Sequence, residues 1–152
     1  MPEQSIDRDI EACLACCKTA SLATADALGR PFAANIQYAH DAAYRLYWVS
    51  SEAAQHSENL ENRADAAITI YAHLDSPELI HGLQLHGQVA PLDRAAAEDT
   101  LPLYTAKYPF VADPPFSEAV SRQRFYCFTP TWLRWIDNRR GFGWKIEKTF
   151  DC

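Results

Sequence analysis

The stretch Tyr44-Arg-Leu-Tyr-Trp-Val-Ser-Ser-Glu-Ala-Ala-Gln-His-Ser-Glu-Asn-Leu-Glu-Asn62 decides how this chain is read. Its first half alternates: Leu46, Trp48 and Ser50 fall on one face, and Tyr47, Val49 and Ser51 on the other, which is the period of a strand. The run stops at two serines and passes into good helix formers, so Ser50 or Ser51 is the expected N-cap of a helix over 52–62. A strand that feeds a helix through hydroxyl caps leaves backbone N–H groups aimed out of the helix start. Together with the helix dipole they favour an anion such as phosphate. Taken alone, these residues read first as an ordinary capped helix. Their place in the rest of the chain is what raises the phosphate reading.

Working outward, short strands recur at hairpin spacing. They are expected at 21–25, 32–38, 44–50, 66–73, 79–92, 125–137 and 142–148. Gly29 and Pro31 mark the first turn, and a second turn is expected around 138–141. In the second strand Phe32, Ala34, Ile36 and Tyr38 share one face, while Asn35 and Gln37 share the other. Gly87, in the middle of the long fifth strand, predicts a bulge or a close approach to the backbone. Helices are expected near 5–19, 52–62 and 93–108, the last capped by Asp93 and kinked or restarted at Pro102. Residues 108–116 read as a proline-rich connector. The sum is a mainly β chain, a six- to seven-stranded antiparallel barrel with flanking helices, forming one domain over 1–152. Neither G-x-G-x-x-G nor a Walker A motif is present, so a dinucleotide fold and a P-loop are unsupported.

Composition narrows the partners. A hydrophobic share of 48% with 22% charged residues is globular, and a net charge of -6 without a basic cluster argues against nucleic acid. No apolar run approaches the ~20 residues that span a bilayer. Met1-Pro2-Glu3-Gln4-Ser5 lacks the layout of a secretory signal, so the expected location is the cytoplasm. The five cysteines do not suggest a disulfide framework. Cys13, Cys16 and Cys17 could form half a zinc site or a redox pair, but Cys127 and Cys152 stand alone. The helical spacing of Ile6, Ile10, Cys13, Leu14 and Cys17 favours small apolar contacts between a helix and a sheet.

The ordered series of segments resembles the FMN-binding split β-barrel, the fold of pyridoxamine 5′-phosphate oxidase and its smaller relatives. The residues that carry the likeness are Ala20-Ser21-Leu22-Ala23-Thr24, Gly29-Arg30-Pro31, Leu46-Tyr47-Trp48-Val49-Ser50-Ser51 and Asn59-Leu60-Glu61-Asn62. Leu85-His86-Gly87-Gln88-Val89, Tyr104-x-x-Lys-Tyr-Pro109 and Trp135-Ile136-Asp137-Asn138 with Gly141-Phe142-Gly143 complete the set. The resemblance implies a homodimer with two FMN sites at the subunit interface. It implies a phosphate near Ser50, Ser51, Gln55 and His56, and a ring along Asn35, Ile36 and Gln37. Many relatives place Lys or Arg in the helix after the serine. Here Gln55 and His56 stand there, and His56 carries a full charge only when protonated, with a reference pKa of ~6.5. The basic C-terminal signature with which the oxidase holds its own substrate is not recognisable.

Other readings stay open at this level. His40, His56, His73, His81 and His86 are scattered, with His81 and His86 on opposite strand faces, so no metal site is expected. Haem competes with flavin because some split-barrel relatives bind it, but those are expected to use a C-terminal histidine and none follows His86. Trp132, Trp135, Phe142 and Trp144 could wall a flavin ring or pack the core and a dimer interface. Arg139 and Arg140 could reach a phosphate across a dimer, or be a solvated turn, which is the expectation. Three functional classes follow. One is a flavin-dependent oxidoreductase of unknown substrate, another a non-catalytic flavin- or ligand-binding dimer, and the last a barrel that binds no flavin. No catalytic acid or base is assigned.

Overall fold

The segment 31–40 is where the sheet closes. Pro31–Gln37 (β2) pairs with Thr19–Ala25 (β1), and two residues later Ala39–His40 (β3) pairs with Leu46–Ser50 (β4). The remaining strands are Asp65–Tyr71 (β5), His81–Pro91 (β6), Arg124–Asp137 (β7) and Lys145–Thr149 (β8). Their order is β2-β1-β5-β6-β7-β4-β3, with β8 on the far half of β7, and every pairing is antiparallel. One stretch of chain thus supplies both ends of the sheet, joined through Tyr38. This computed structural model describes residues 2–72 and 74–151; Met1, His73 (the expected end of the fourth strand) and Cys152 lie outside them. The mainly β, antiparallel barrel architecture stands as expected. The added strand is β3, whose two residues are too few for alternation to reveal.

Alternation places the core. Leu22, Ile36, Leu46, Trp48, Ile68, Ile70, Leu83, Leu85, Phe128, Leu133 and Trp135 are buried together inside the barrel. The helix Pro2–Cys16 (α1) adds Ile6, Ile10, Cys13 and Leu14 to that cluster, beginning and ending about a turn earlier than expected. Cys13 is buried and Cys17 half-buried, as small apolar contacts require, while Cys16 is exposed. A second cluster lies on the outer face of β4 and β7, where Tyr104 and Tyr108 meet Ala39, Val111 and Phe125. Tyr104 belongs to the helix Arg94–Lys107 (α3), whose first turn is capped as expected: Ala96 N donates to Asp93 Oδ1 at 2.8 Å. Pro102 lies inside this helix without dividing it. The connector that follows holds a 3₁₀ turn at Pro109–Ala112 and a short helix, Phe116–Ser121 (α4).

Two hairpin turns are built alike. Asp26 accepts from the backbone N–H groups of Leu28 and Arg30 and from Arg30 Nε at 2.7 Å, with Gly29 at φ +82°. Asp41 accepts in the same way from Ala43, Arg45 and Arg45 Nε, and there Tyr44 takes the left-handed position at φ +60°. Gly87 meets both sequence expectations. The β6–β7 register shifts between His86 and Gly87, and a Cβ at Gly87 would lie 2.2 Å from the Thr129 carbonyl oxygen. Arg139 and Arg140 are not a solvated turn. They grip the buried Asp137 at 2.7 and 3.4 Å, and Arg140 also reaches Asp9 of α1 at 2.8 Å. Of the four C-terminal aromatics, Trp135 is core, Trp144 packs at its margin, Trp132 lies tilted against His86 and Phe142 is exposed. His81 lies against Trp135, on the face opposite His86. No helix among the described residues is long and apolar enough to cross a membrane.

Candidate functional site

The strand-to-helix junction differs from its sequence reading in one instructive way. Ser50 stays in the sheet opposite Arg124, only 9% exposed, and its Oγ lies 2.8 Å from His56 Nε2. Among the described residues Ser50 accepts no backbone N–H from the helix start and so caps nothing. Ser51 accepts from Ala53 N at 3.2 Å through Oγ and from Ala54 N at 3.1 Å through its carbonyl, which makes a turn instead of a helix start. The helix Gln55–Asn62 (α2) begins after that turn, with Ala54 at the N-cap position and no side-chain cap. The expectation that Ser50 or Ser51 caps a helix from residue 52 is therefore corrected. The turn sets His56 back over the strand end, which is what brings imidazole and hydroxyl together.

Beside this junction the sheet leaves an opening. β2 ends the sheet on one side, so the backbone edge it turns away from β1 has no strand partner among the described residues. Asn35, Ile36 and Gln37 of that edge face Val49 and Ser50 across a cleft of about 510 Å³. That falls within the ~300–1,000 Å³ usual for cofactor and small-molecule sites. The opposite wall comes from the connector and α3: Tyr104, Phe110, Val111, Phe116, Ala119 and Val120, with Gln123 at the rim. Phe110 and Phe116 meet edge to face with centroids 5.0 Å apart and are 46% and 51% exposed. Tyr104 donates from its hydroxyl to the Gln37 carbonyl at 3.2 Å, tying the aromatic wall to the edge strand. The cleft is therefore a slot, with an amide-bearing edge and an aromatic wall, closed at one end by the last residues of β4.

Among the described residues no charged side chain lines this slot. Burial pushes His56 below its ordinary pKa, so at neutral pH it meets Ser50 as a neutral ring. A cation beside the junction that the sequence did not reveal is Arg124, directly across the β4–β7 ladder from Ser50, which donates to Glu52 at 3.0 Å. Of the expected site residues, the structure brings Asn35, Ile36, Gln37 and Ser50 onto one cleft, with His56 behind Ser50. Ser51 and Gln55 are elsewhere. Gln55 donates to Asn59 Oδ1 at 2.8 Å, and Asn59 donates to Thr24 at 3.0 Å, a network that fastens α2 to β1. Sequence reasoning missed the aromatic wall. Its signal was present, as Phe110 and Phe116 standing within a proline-rich connector.

Comparison with known proteins agrees with this fold. A family model described as "Pyridoxamine 5'-phosphate oxidase" matches residues 6–137. No curated protein matches the sequence. Among solved structures, a heme binding protein from Mycobacterium smegmatis is similar at a TM-score of 0.75 and 19% identity, over 94% of this chain and 56% of that one. HutZ, the heme storage protein from Vibrio cholerae, is similar at 0.59 and 16% identity, over 81% and 88%. General Stress Protein 26 from Bacillus anthracis is similar at 0.67 and 12% identity, over 94% and 98%. At such identities these likenesses establish the fold alone.

Proposed function

The chain belongs to the pyridoxamine 5′-phosphate oxidase family, and from that premise we propose that residues 1–152 form one FMN-binding domain of a cytoplasmic, homodimeric flavin-dependent oxidoreductase. The observation that carries the reading is the slot between β2 and β4. A flavin is a flat ring with one polar edge, two apolar faces and a phosphate at the end of a flexible chain. Asn35, Gln37 and the unpaired edge of β2, including the backbone at Ile36, would hold the polar edge, while Val49, Phe110 and Phe116 would cover the faces. Ser50, backed by His56, would take the phosphate. When bound, FMN supplies hydride and electron transfer, and the protein supplies position and electrostatics. Tyr104 keeps the edge strand in place, and the connector excludes water from one face of the slot. The outer face of β1 and β5, with Ala23, Ala67 and the exposed Tyr71, supports a second copy packing there. The four described cysteines are free, which suits a reducing compartment.

Haem is the second reading, favoured by the heme proteins among the structural neighbours. The slot speaks for flavin over haem, because among the described residues none that lines it is His, Cys or Met. The deciding experiment is an absorbance spectrum of the purified protein, before and after adding FMN or hemin. A two-band flavin spectrum that persists through gel filtration is expected. A Soret band from hemin, without flavin retention, would transfer the site to haem. Oxidation of a nicotinamide nucleotide by the FMN-loaded protein, with an organic acceptor or oxygen, separates the oxidoreductase from a non-catalytic flavin carrier.

A further inference from the structure

The short helix α4 borders two openings. Phe116 and Ala119 look onto the slot, while Ser117 and Ser121, on the adjoining face, look onto a second cleft of about 690 Å³. Val111 and Val120 line both, so α4 is a thin partition between them. The second cleft exists because two helix faces do not meet. Along α3, Arg94, Ala97, Glu98, Leu101 and Thr105 recur at spacings of three and four and share one face. The neighbouring face of α3 does the packing, through the buried Thr100 and Tyr104. Larger side chains would have closed the gap; Ala97 on one wall and the two serines on the other leave it open. Its floor is the second core cluster, with Phe125 and Val111 buried and Leu92 and Val120 half-buried beside them. Leu101, at the rim, is 40% exposed.

We propose that this cleft is a second ligand site, which takes an uncharged, mainly apolar ring molecule and is separate from whatever the slot holds. Its volume falls within the ~300–1,000 Å³ usual for small-molecule sites. Its charges set the class of ligand. Two arginines and two acids line it among the described residues, so neither sign of ligand charge is favoured. They are also engaged already. Arg94 donates to Glu98 at 3.2 Å and Arg124 to Glu52 at 3.0 Å, while Asp93 accepts from the α3 backbone at Ala96. An ion laid on the apolar floor would lose its hydration and gain no partner. An apolar ring gains by leaving water and by covering Leu92, Leu101 and Phe125. The Thr105 hydroxyl and the Gln123 amide, both on the lining, can serve the ligand's polar atoms. Among the described residues, β1 and β5, where a second copy is proposed to pack, contribute nothing to the cleft, so a dimer built that way leaves it open.

The test is fluorescence titration of the full-length protein with a pair of probes that share a ring system. One is N-phenylnaphthylamine, which is uncharged; the other is anilinonaphthalenesulfonate, which adds a sulfonate. The uncharged probe is expected to bind saturably, and the sulfonate about tenfold more weakly, because its charge finds no free partner. Two variants block the cleft from opposite walls. Ala97→Trp on α3 and Ser121→Trp on α4 should each weaken the uncharged probe about tenfold by filling its space. Ala119→Trp, which projects into the slot alone, should leave it unchanged. Thermal unfolding of each variant accompanies the titrations. Ala97 is half-buried, so if its variant unfolds at a lower temperature, Ser121→Trp, at an exposed position, decides the matter. No saturable binding of the uncharged probe by wild type overturns the proposal. So does unchanged binding by Ser121→Trp, and if Ala119→Trp then abolishes it, the probe belongs to the slot. Equal affinity for the two probes overturns the assignment to an uncharged ligand. None of these outcomes depends on whether the slot binds flavin.

Discussion

Tyr38 stands between two regions built to opposite standards. On its one side, α1, β3 and the end of α3 lock together. Tyr38 donates to the Leu14 carbonyl at 2.8 Å, and Tyr108 lies 2.8 and 2.6 Å from the carbonyls of Lys18 and Tyr38. Lys107 donates to Leu14 and Cys17 at 2.9 and 2.6 Å while sitting 3.9 Å above the Tyr38 ring. On its other side, only a residue away, Asn35 and Gln37 are exposed, β2 has an unpaired edge and two phenylalanines stand half in solvent. The contrast teaches where the chain places its rigidity. A hydrogen-bonded hub fixes the crossing of β2 into β3, and that fixed crossing holds the β2 edge open beside the slot.

The comparison breaks most severely at its hinge. Tyr38→Ala deletes a fully buried ring and its bond to α1, so unfolding in urea should show a loss of about 3–5 kcal/mol. Gly87→Ala should cost about 2–3 kcal/mol, because its Cβ would press on the Thr129 carbonyl and the Phe128 ring across β7. Asp137→Asn tests the ion cluster that ties α1 to β7. The Asp137 carboxyl is held below its usual value of 3.8 by Arg139, against the opposing effect of burial. A depressed carboxylate contributes stability above its unfolded pKa and loses it as pH falls through the folded one. Acid unfolding below about pH 4 should therefore be shallower in Asp137→Asn, whose stability at pH 7 should be lower by about 2 kcal/mol. The smallest effect on folding sharpens the contrast: Phe116→Ala should change stability by no more than about 0.5 kcal/mol and still weaken FMN about fivefold.

The hub and the slot were not equally legible in the sequence. Strands, the barrel class, the Gly87 bulge and the Asp93 cap all follow from local patterns, and the structure keeps them. Asn35, Ile36, Gln37 and Ser50 were reached by resemblance, and the fold gathers them at one opening. The start of α2 was misplaced because a serine can cap a helix or accept a tertiary partner, and only the fold shows that His56 claims Ser50. Arg139 and Arg140 looked solvated because Asp9 is about 130 residues away, and ion pairs across such separations leave no local pattern. The aromatic wall escaped because α4 is a six-residue helix after prolines, too short for helical periodicity to register.

The account turns on whether flavin occupies the slot between β2 and β4. Ala119 is exposed on α4 and points its position at that slot, so Ala119→Trp should fill it without disturbing either core cluster. The direct measurement is titration of FMN by flavin fluorescence on wild type and Ala119→Trp, with thermal unfolding of both. The account predicts saturable quenching by wild type, at least tenfold weaker binding by Ala119→Trp, and the same unfolding midpoint for the two. Equal FMN affinity in the two proteins would contradict it and move the flavin elsewhere.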